Sequence, residues 1–311
     1  MIKVLVTCPP MLGMIDSFRP IFEEAGVGLS TPEVVQTLSV KQLNKLVPLH
    51  DGWIIGDDPA TREVFSLGKA GRLKAAVKWG IGVDNVDFDA CRELGLPIVN
   101  TPNMFGGEVA DIAVGYVIAL ARETFEIDRA VRLGKWIKPR GVSLAGKTVA
   151  LVGFGDIGKH TARRLMAAEM KVIAYDPYAK LTPDFEGVEM ISWPGRIEEA
   201  DFIVITCSLT PSSFQMLNSA IFSRVKRGVR VINVGRGGVI DESALEKALM
   251  SGQVYSAALD VFEAEPLSMN SYLQSHPHCV FGSHNSSNTS DAVERTSIVA
   301  IQKLFDFLGV Y

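Results

Sequence analysis

Short apolar runs rich in β-branched residues alternate with stretches of helical spacing along nearly the whole chain. Lys3–Thr7, Trp53–Ile55, Ala75–Lys78 and Pro97–Val99 read as strands, with helices over Asp16–Ala25, Val40–Val47, Ala60–Leu67 and Asp87–Leu94. A second series of strands comprises Thr148–Val152, Lys171–Tyr175, Asp201–Cys207, Arg230–Val234, Tyr255–Leu259 and Cys279–Gly282. Helices over Ile157–Glu169 and Glu242–Ser251 lie among them. The strands are apolar throughout rather than alternating, which suits parallel strands covered on both faces. The pattern predicts an α/β, doubly wound architecture repeated as two Rossmann-like halves. A long helix over Glu108–Arg122 separates the halves, after a turn at Asn100-Thr101-Pro102-Asn103 where proline disfavours helix at the residue before it. A last helix, Ser290–Leu308, is expected to return to the first half.

Composition narrows the class. A chain of 311 residues suggests two domains at roughly 150 residues each. With 47% hydrophobic and 21% charged residues, disorder is excluded as the main state. The net charge of −4 argues against a nucleic-acid or anionic-membrane surface. The best membrane candidate, Val109 to Ala121, contains Asp111 and falls short of the roughly 20 residues a span needs. Cys8, Cys91, Cys207 and Cys279 are too sparse for a disulfide framework and lack metal-ligand spacing. Reduced thiols, no signal peptide, no metal and a cytoplasmic location are therefore expected.

The clearest chemical signal is Gly153-Phe154-Gly155-Asp156-Ile157-Gly158, which follows a strand and opens a helix. Gly153 permits the tight turn, Gly155 lets backbone approach a pyrophosphate, and Gly158 allows close helix–strand contact. Backbone N–H groups at the helix start, Asp156 and Ile157 included, receive the phosphates. Asp176 lies 18 residues past Gly158 at the end of the next strand, where a carboxylate accepts from a ribose diol and repels a 2′-phosphate. NAD is expected rather than NADP. Three later segments end strands with chemistry-bearing residues: Asn233-Val234-Gly235-Arg236-Gly237-Gly238, Ala258 through Pro266, and Val280-Phe281-Gly282-Ser283-His284. A glycine-flanked Arg236 has room for a bidentate carboxylate contact.

Together with Gly80-Ile81-Gly82-Val83-Asp84-Asn85-Val86-Asp87, these motifs resemble, in order and spacing, the D-isomer-specific 2-hydroxyacid dehydrogenase family over essentially the full length. The resemblance implies a flavodoxin-like substrate domain at residues 1–98 and 288–311, with an NAD-binding Rossmann domain, residues 99–287, inserted. It implies that Arg236 binds the substrate carboxylate and polarises the ketone, and that His284 is the acid–base residue. Glu265 would hydrogen-bond to His284, since a carboxylate beside an imidazole favours its proton-donating form. Asp260 would sit by the nicotinamide carboxamide, and Cys207 and Gly235 would complete the cofactor set. Lys78, Trp79 and Gly80 would bind substrate, with N–H groups around Lys78 to Gly82 facing its carboxylate. His284 is followed by Asn285-Ser286-Ser287, where the family has an apolar residue and small glycines. His50, His160, His276 and His278 read as surface or packing residues, and the four tryptophans as core or interface, with Trp79 shaping the pocket.

The resemblance favours a phosphoglycerate-dehydrogenase-like member acting on a small 2-hydroxy or 2-keto acid. Lys78 would suit a phosphate or second carboxylate, whereas acids in Gly56-Asp57-Asp58 at the rim would oppose one. The alternatives are a glyoxylate/hydroxypyruvate reductase or a D-lactate-type dehydrogenase and, from another class, an NAD(H)-sensing corepressor. Formate dehydrogenases share the fold but lack the glutamate partner. A homodimer through Glu108–Arg122 and hinge closure between the domains are also implied. Because the sequence ends at Tyr311, no C-terminal regulatory domain is expected.

Overall fold

A computed structural model describes residues 1–310. In chain order the elements begin β1 (Lys3–Val6), α1 (Pro9–Gly13), α2 (Ile15–Glu24), β2 (Gly28–Ser30), α3 (Val40–Leu46), β3 (Gly52–Ile55) and α4 (Arg62–Ala70). They continue β4 (Ala75–Lys78), α5 (Phe88–Glu93), β5 (Ile98–Asn100), α6 (Gly106–Arg122), α7 (Thr124–Arg132), β6 (Thr148–Val152), α8 (Asp156–Ala167), β7 (Lys171–Tyr175) and β8 (Val188–Met190). The remainder is β9 (Phe202–Ile205), α9 (Ser219–Phe222), β10 (Val229–Asn233), α10 (Glu242–Met250), β11 (Val254–Leu259), α11 (Tyr272–Ser275), β12 (Cys279–Phe281) and α12 (Ser290–Leu308).

The chain divides into two compact units: residues 1–104 with the segment from Asn288 onward, and residues 105–287. The first unit is a five-stranded sheet in the order β2-β1-β3-β4-β5, parallel throughout. This is the flavodoxin-like doubly wound order. Its inner strands β1, β3 and β4 are largely buried, as their apolar sequences require; Trp53, Ile54 and Ile55 of β3 are fully enclosed. The helix α12 packs on β3 and β4. Gly52 lets it approach, because a Cβ there would stand 2.9 Å from Leu308 Cδ1 and 3.0 Å from Leu304 Cδ2.

The second unit holds a seven-stranded sheet in the order β12-β11-β10-β9-β6-β7-β8, again parallel. Strand order reverses between β6 and β9, the topological switch point where open α/β sheets bind ligands. The core around this sheet includes Val152, Ile203, Ile205, Val231 and Leu259. The parallel α/β architecture anticipated from the apolar runs is therefore present, with corrections. The first boundary lies at Met104/Phe105 rather than near residue 98, because Ile98–Asn100 pairs with β4 as the edge of the first sheet. Edge strands β2 and β8 and the helix α7 escaped the periodicity reading; each strand is only three residues long. Trp53 and Trp79 are buried, whereas Trp136 is 80% exposed in the single chain.

Candidate active site

The glycine loop between β6 and α8 shows why each glycine is required. Gly153 has φ 96, and a Cβ on it would lie 2.6 Å from the Cys207 nitrogen. A Cβ on Gly158 would sit 2.2 Å from the Gly153 carbonyl oxygen. Gly155 differs: a Cβ there meets nothing within 4 Å, so the loop presents an open face. Gly155 is also the N-cap of α8, and no side chain caps that helix start. First-turn N–H groups of Asp156 and Ile157 are the kind that donate to a pyrophosphate. The Asp156 side chain itself turns toward α6, against the Cα of Gly106. These residues fit the dinucleotide anticipated from the motif.

Asp176, just past β7, braces this loop. Its Oδ2 accepts from Phe154 N at 2.8 Å, and its Oδ1 accepts from Tyr178 N at 2.8 Å and Ala179 N at 2.9 Å. A carboxylate has about four acceptor sites, so capacity for a diol remains. Cys207 follows β9, its backbone confined between Gly153 and Gly235; a Cβ on Gly235 would stand 2.7 Å from the Cys207 carbonyl. Burial pushes the Cys207 thiol up to about 11, so it is an inert wall rather than a nucleophile.

At the end of β10 the buried Asn233 folds the arginine loop. Its Oδ1 accepts from Gly235 N at 3.0 Å and its Nδ2 donates to the Arg236 carbonyl at 2.9 Å. Arg236 Nη1 donates to the Gly235 carbonyl at 3.0 Å. Gly237 then presses on the Phe262 backbone, where a Cβ would fall 1.8 Å from the carbonyl carbon. Phe262 N donates to Glu265 Oε1 at 3.1 Å, and Glu265 Oε2 stands 2.8 Å from His284 Nδ1. Arginine loop, carboxylate and imidazole are thus joined through one short stretch of backbone.

His284 adopts a left-handed conformation, φ 54, held by its N–H donating to the Asp260 carbonyl at 2.7 Å. The Asp260 side chain, 2% exposed, does more than sequence reasoning anticipated. Its Oδ1 accepts from Asn285 N at 3.2 Å; its Oδ2 accepts from Ser286 N at 3.0 Å and Ser286 Oγ at 2.6 Å. The unusual Asn285-Ser286 pair is therefore the clamp that holds the histidine loop to Asp260. Gly282 makes the approach feasible, since a Cβ there would lie 2.0 Å from Asp260 Oδ1. Burial, and then the charge of Asp260, push the Tyr116 phenol up to about 12. Asn233 and Ser286 stood in segments that the sequence marked, but their hydrogen-bond partners were not readable there.

Within the first unit, Lys78, Trp79 and Gly80 follow one another off β4. Lys78 is 3% exposed, and its Nζ donates to Asp57 Oδ1 at 3.1 Å and to the Trp79 carbonyl at 2.9 Å. Its charge is therefore balanced internally. Trp79 donates through Nε1 to Ser297 Oγ at 3.1 Å and through N to the Ile55 carbonyl at 2.9 Å. The Gly80 N–H donates to Thr101 Oγ1 at 2.7 Å. The N–H groups of Trp79 and Gly80 are thus engaged within the unit. Asp58 is not a rim acid: it is wholly buried, accepting from Leu38 N at 2.8 Å and from the Thr7 hydroxyl. Burial raises its carboxyl above the ordinary range despite those donors.

The other histidines separate into kinds. His50 is buried, with Nδ1 2.8 Å from the Leu46 carbonyl, as a packing residue should be. His278 instead faces two carboxylates, Glu126 Oε2 at 3.1 Å and Glu123 Oε2 at 3.7 Å, an arrangement sequence reading did not anticipate. Cys8, Cys91 and Cys279 are free and buried, each thiol pushed up to about 12, mainly by burial. Among the described residues no helix is long and apolar enough to cross a membrane.

Residues 114–286 match the sequence model of the D-isomer specific 2-hydroxyacid dehydrogenase, NAD binding domain. Over 283 residues the chain is 40% identical to D-3-phosphoglycerate dehydrogenase 2, chloroplastic, of Arabidopsis thaliana, covering 88% of this chain and 45% of that protein. It thus spans about half the length of that plant relative. Hydroxypyruvate reductase of Thermotoga maritima is 36% identical over 300 residues, covering 94% of this chain and 97% of the relative. Among solved structures, the TT0316 protein from Thermus thermophilus superposes with a TM-score of 0.87 at 29% identity, covering 99% of this chain and 97% of that one.

Proposed function

The chain belongs to the D-isomer specific 2-hydroxyacid dehydrogenase family, and from that premise we propose that it catalyses NAD-dependent interconversion of a small D-2-hydroxy acid and its 2-keto acid. The observation that carries the reading is the 2.8 Å contact between Glu265 Oε2 and His284 Nδ1, in the same unit as the dinucleotide loop. When bound, NAD supplies or accepts the hydride. Arg236 binds the substrate carboxylate and polarises the ketone. With Nδ1 facing Glu265, His284 carries the transferred proton on Nε2, giving it to the alkoxide in reduction and taking it from the hydroxyl in oxidation. Asp260 holds the histidine loop in register. Asp176 favours NAD over NADP by repelling a 2′-phosphate.

The reading is phosphoglycerate-dehydrogenase-like in its motifs, but with an unphosphorylated substrate. A lysine neutralised by Asp57 offers little to a phosphate, whereas the exposed Ile81 and neighbouring Gly82 can present backbone N–H groups to a carboxylate. The first unit is then the substrate unit. The Thermotoga relative's name, hydroxypyruvate reductase, suits this reading. A homodimer is supported by apolar side chains exposed along α6, α7 and the following loop: Ile112, Ile118, Phe125, Val131, Leu133 and Trp136. The free, buried thiols suit a reducing, cytoplasmic setting.

The test is steady-state oxidation of NADH and NADPH with glyoxylate, hydroxypyruvate, pyruvate and 3-phosphohydroxypyruvate. NADH with an unphosphorylated keto acid is expected to give the highest kcat/KM, and His284→Ala to lose about 10²–10⁴ of it. Preference for the phosphorylated acid would overturn the substrate assignment. NADH binding without turnover of any keto acid would point to a sensor instead.

A further inference from the structure

Away from the proposed catalytic groups, the second unit gathers another set of ligand-type side chains. Glu123 sits between α6 and α7 with φ 56, Glu126 lies in the first turn of α7, and His278 occupies the turn before β12. One ligand atom from each lies within 4.8 Å of the others. The Glu123 side chain is 4% exposed. Its Oε1 and the His278 Nδ1 are both shut off from solvent and have no hydrogen-bond partner. Although Nδ1 is 3.1 Å from Glu126 Oε2, the pair is out of line for a hydrogen bond. Among the described residues, neither carboxylate forms an ion pair with a lysine or arginine.

A buried carboxylate oxygen near an unpartnered ring nitrogen is unfavourable unless a proton or a metal ion joins the groups. Arg230, whose charge reaches Glu123, is engaged elsewhere: its Nε donates to the Leu120 carbonyl at 3.1 Å, and its guanidinium lies 4.9 Å over the Tyr255 ring. That same tyrosine stacks on His278 with ring centroids 4.8 Å apart, so the imidazole plane is held in place. The Tyr255 hydroxyl also lies within hydrogen-bonding reach of the Glu123 carboxylate, but a phenol brings no positive charge to it. Ligands at about 2.0–2.2 Å from a tetrahedral zinc are separated from one another by roughly 3.4 Å. The separations from Nδ1, 3.1 and 3.7 Å, bracket that edge.

We propose that Glu123, Glu126 and His278 form a divalent transition-metal site, with water completing the shell. One imidazole and two carboxylates suit zinc, and less well the all-oxygen preference of magnesium or calcium. The ion would tie the α6–α7 junction to the start of β12. This assignment does not depend on the dehydrogenase reading.

The full chain, stripped with chelator, is loaded with Zn²⁺, gel-filtered, and assayed for bound metal and for Tm. About one zinc per chain should be retained, as for a single three-ligand site, with a raised Tm. Glu126→Gln, at a partly exposed side chain, and His278→Gln should each weaken zinc binding by about tenfold or more and lose the Tm rise. Circular dichroism checks that both variants fold, and the Glu126→Gln result stands alone should His278→Gln misfold. His284→Ala should retain zinc as the parent does. Failure of the parent protein to retain zinc, retention unchanged in folded Glu126→Gln, or loss of retention in His284→Ala would each overturn the assignment.

Discussion

The imidazole of His284 is fixed from two directions: Glu265 Oε2 meets its Nδ1 at 2.8 Å, and the Asp260 carbonyl accepts its backbone N–H at 2.7 Å. In the proposed reaction the first contact selects which ring nitrogen moves the proton, and the second fixes the backbone that carries the ring. Glu265→Gln keeps the shape but removes the charge that stabilises an imidazolium. It should therefore lower kcat by about 10²-fold and alter the pH–rate profile while leaving NADH affinity intact. Equal turnover in the variant would show that Glu265 is dispensable to the chemistry. His284 and Glu265 were legible in sequence through their motifs, but the Ser286–Asp260 clamp was not. A serine in a loop has many available partners, and only the fold brings its hydroxyl to 2.6 Å from that carboxylate.

At the scale of elements, the loop from β6 into α8 separates glycines needed for folding from one left open. Gly158→Ala places a methyl 2.2 Å from a backbone oxygen that cannot swing aside, and should destabilise the protein by about 1–3 kcal/mol. Gly155→Ala meets no atom of the protein. It should leave the thermal midpoint nearly unchanged yet weaken NADH binding, which fluorescence titration can follow beside melting curves. An unaltered NADH affinity in Gly155→Ala would remove this face from the cofactor site. The β6–α8 unit was readable because a buried strand, a glycine turn and a helix start are neighbours in sequence. By contrast, β2 and β8 are only three residues long, too short for a period to emerge.

Across the whole molecule, stability has an identifiable acid-sensitive component. Asp51 is buried, and burial pushes its carboxyl up. A hydrogen bond from Lys3 N and ion pairs with Lys74 and Arg72 more than offset this, holding it below its ordinary value of 3.8. Because the folded-state value is depressed, the stabilisation is present above the unfolded value and is lost as pH falls through the folded one. Asp51→Asn should therefore cost about 1–3 kcal/mol near neutral pH, with the gap to the parent protein closing below about pH 4. Urea unfolding at several pH values measures it, and a gap independent of pH would refute the linkage. The net charge of −4 could not reveal this contribution, which comes from where a few charges meet rather than from their sum.

The sequence by itself determined the parallel α/β architecture, most of the long strands and helices, and the motif residues Gly153, Asp176, Arg236, Glu265 and His284. Doubly covered strands demand continuous apolar runs, and a phosphate-binding turn demands glycines at set intervals; both requirements are local. Only the tertiary structure decided that Lys78 is neutralised by Asp57, that Asp58 is an interior hydrogen-bond acceptor, and that Glu123, Glu126 and His278 converge. In each case the burial and charge balance of a side chain depend on which distant segment packs against it.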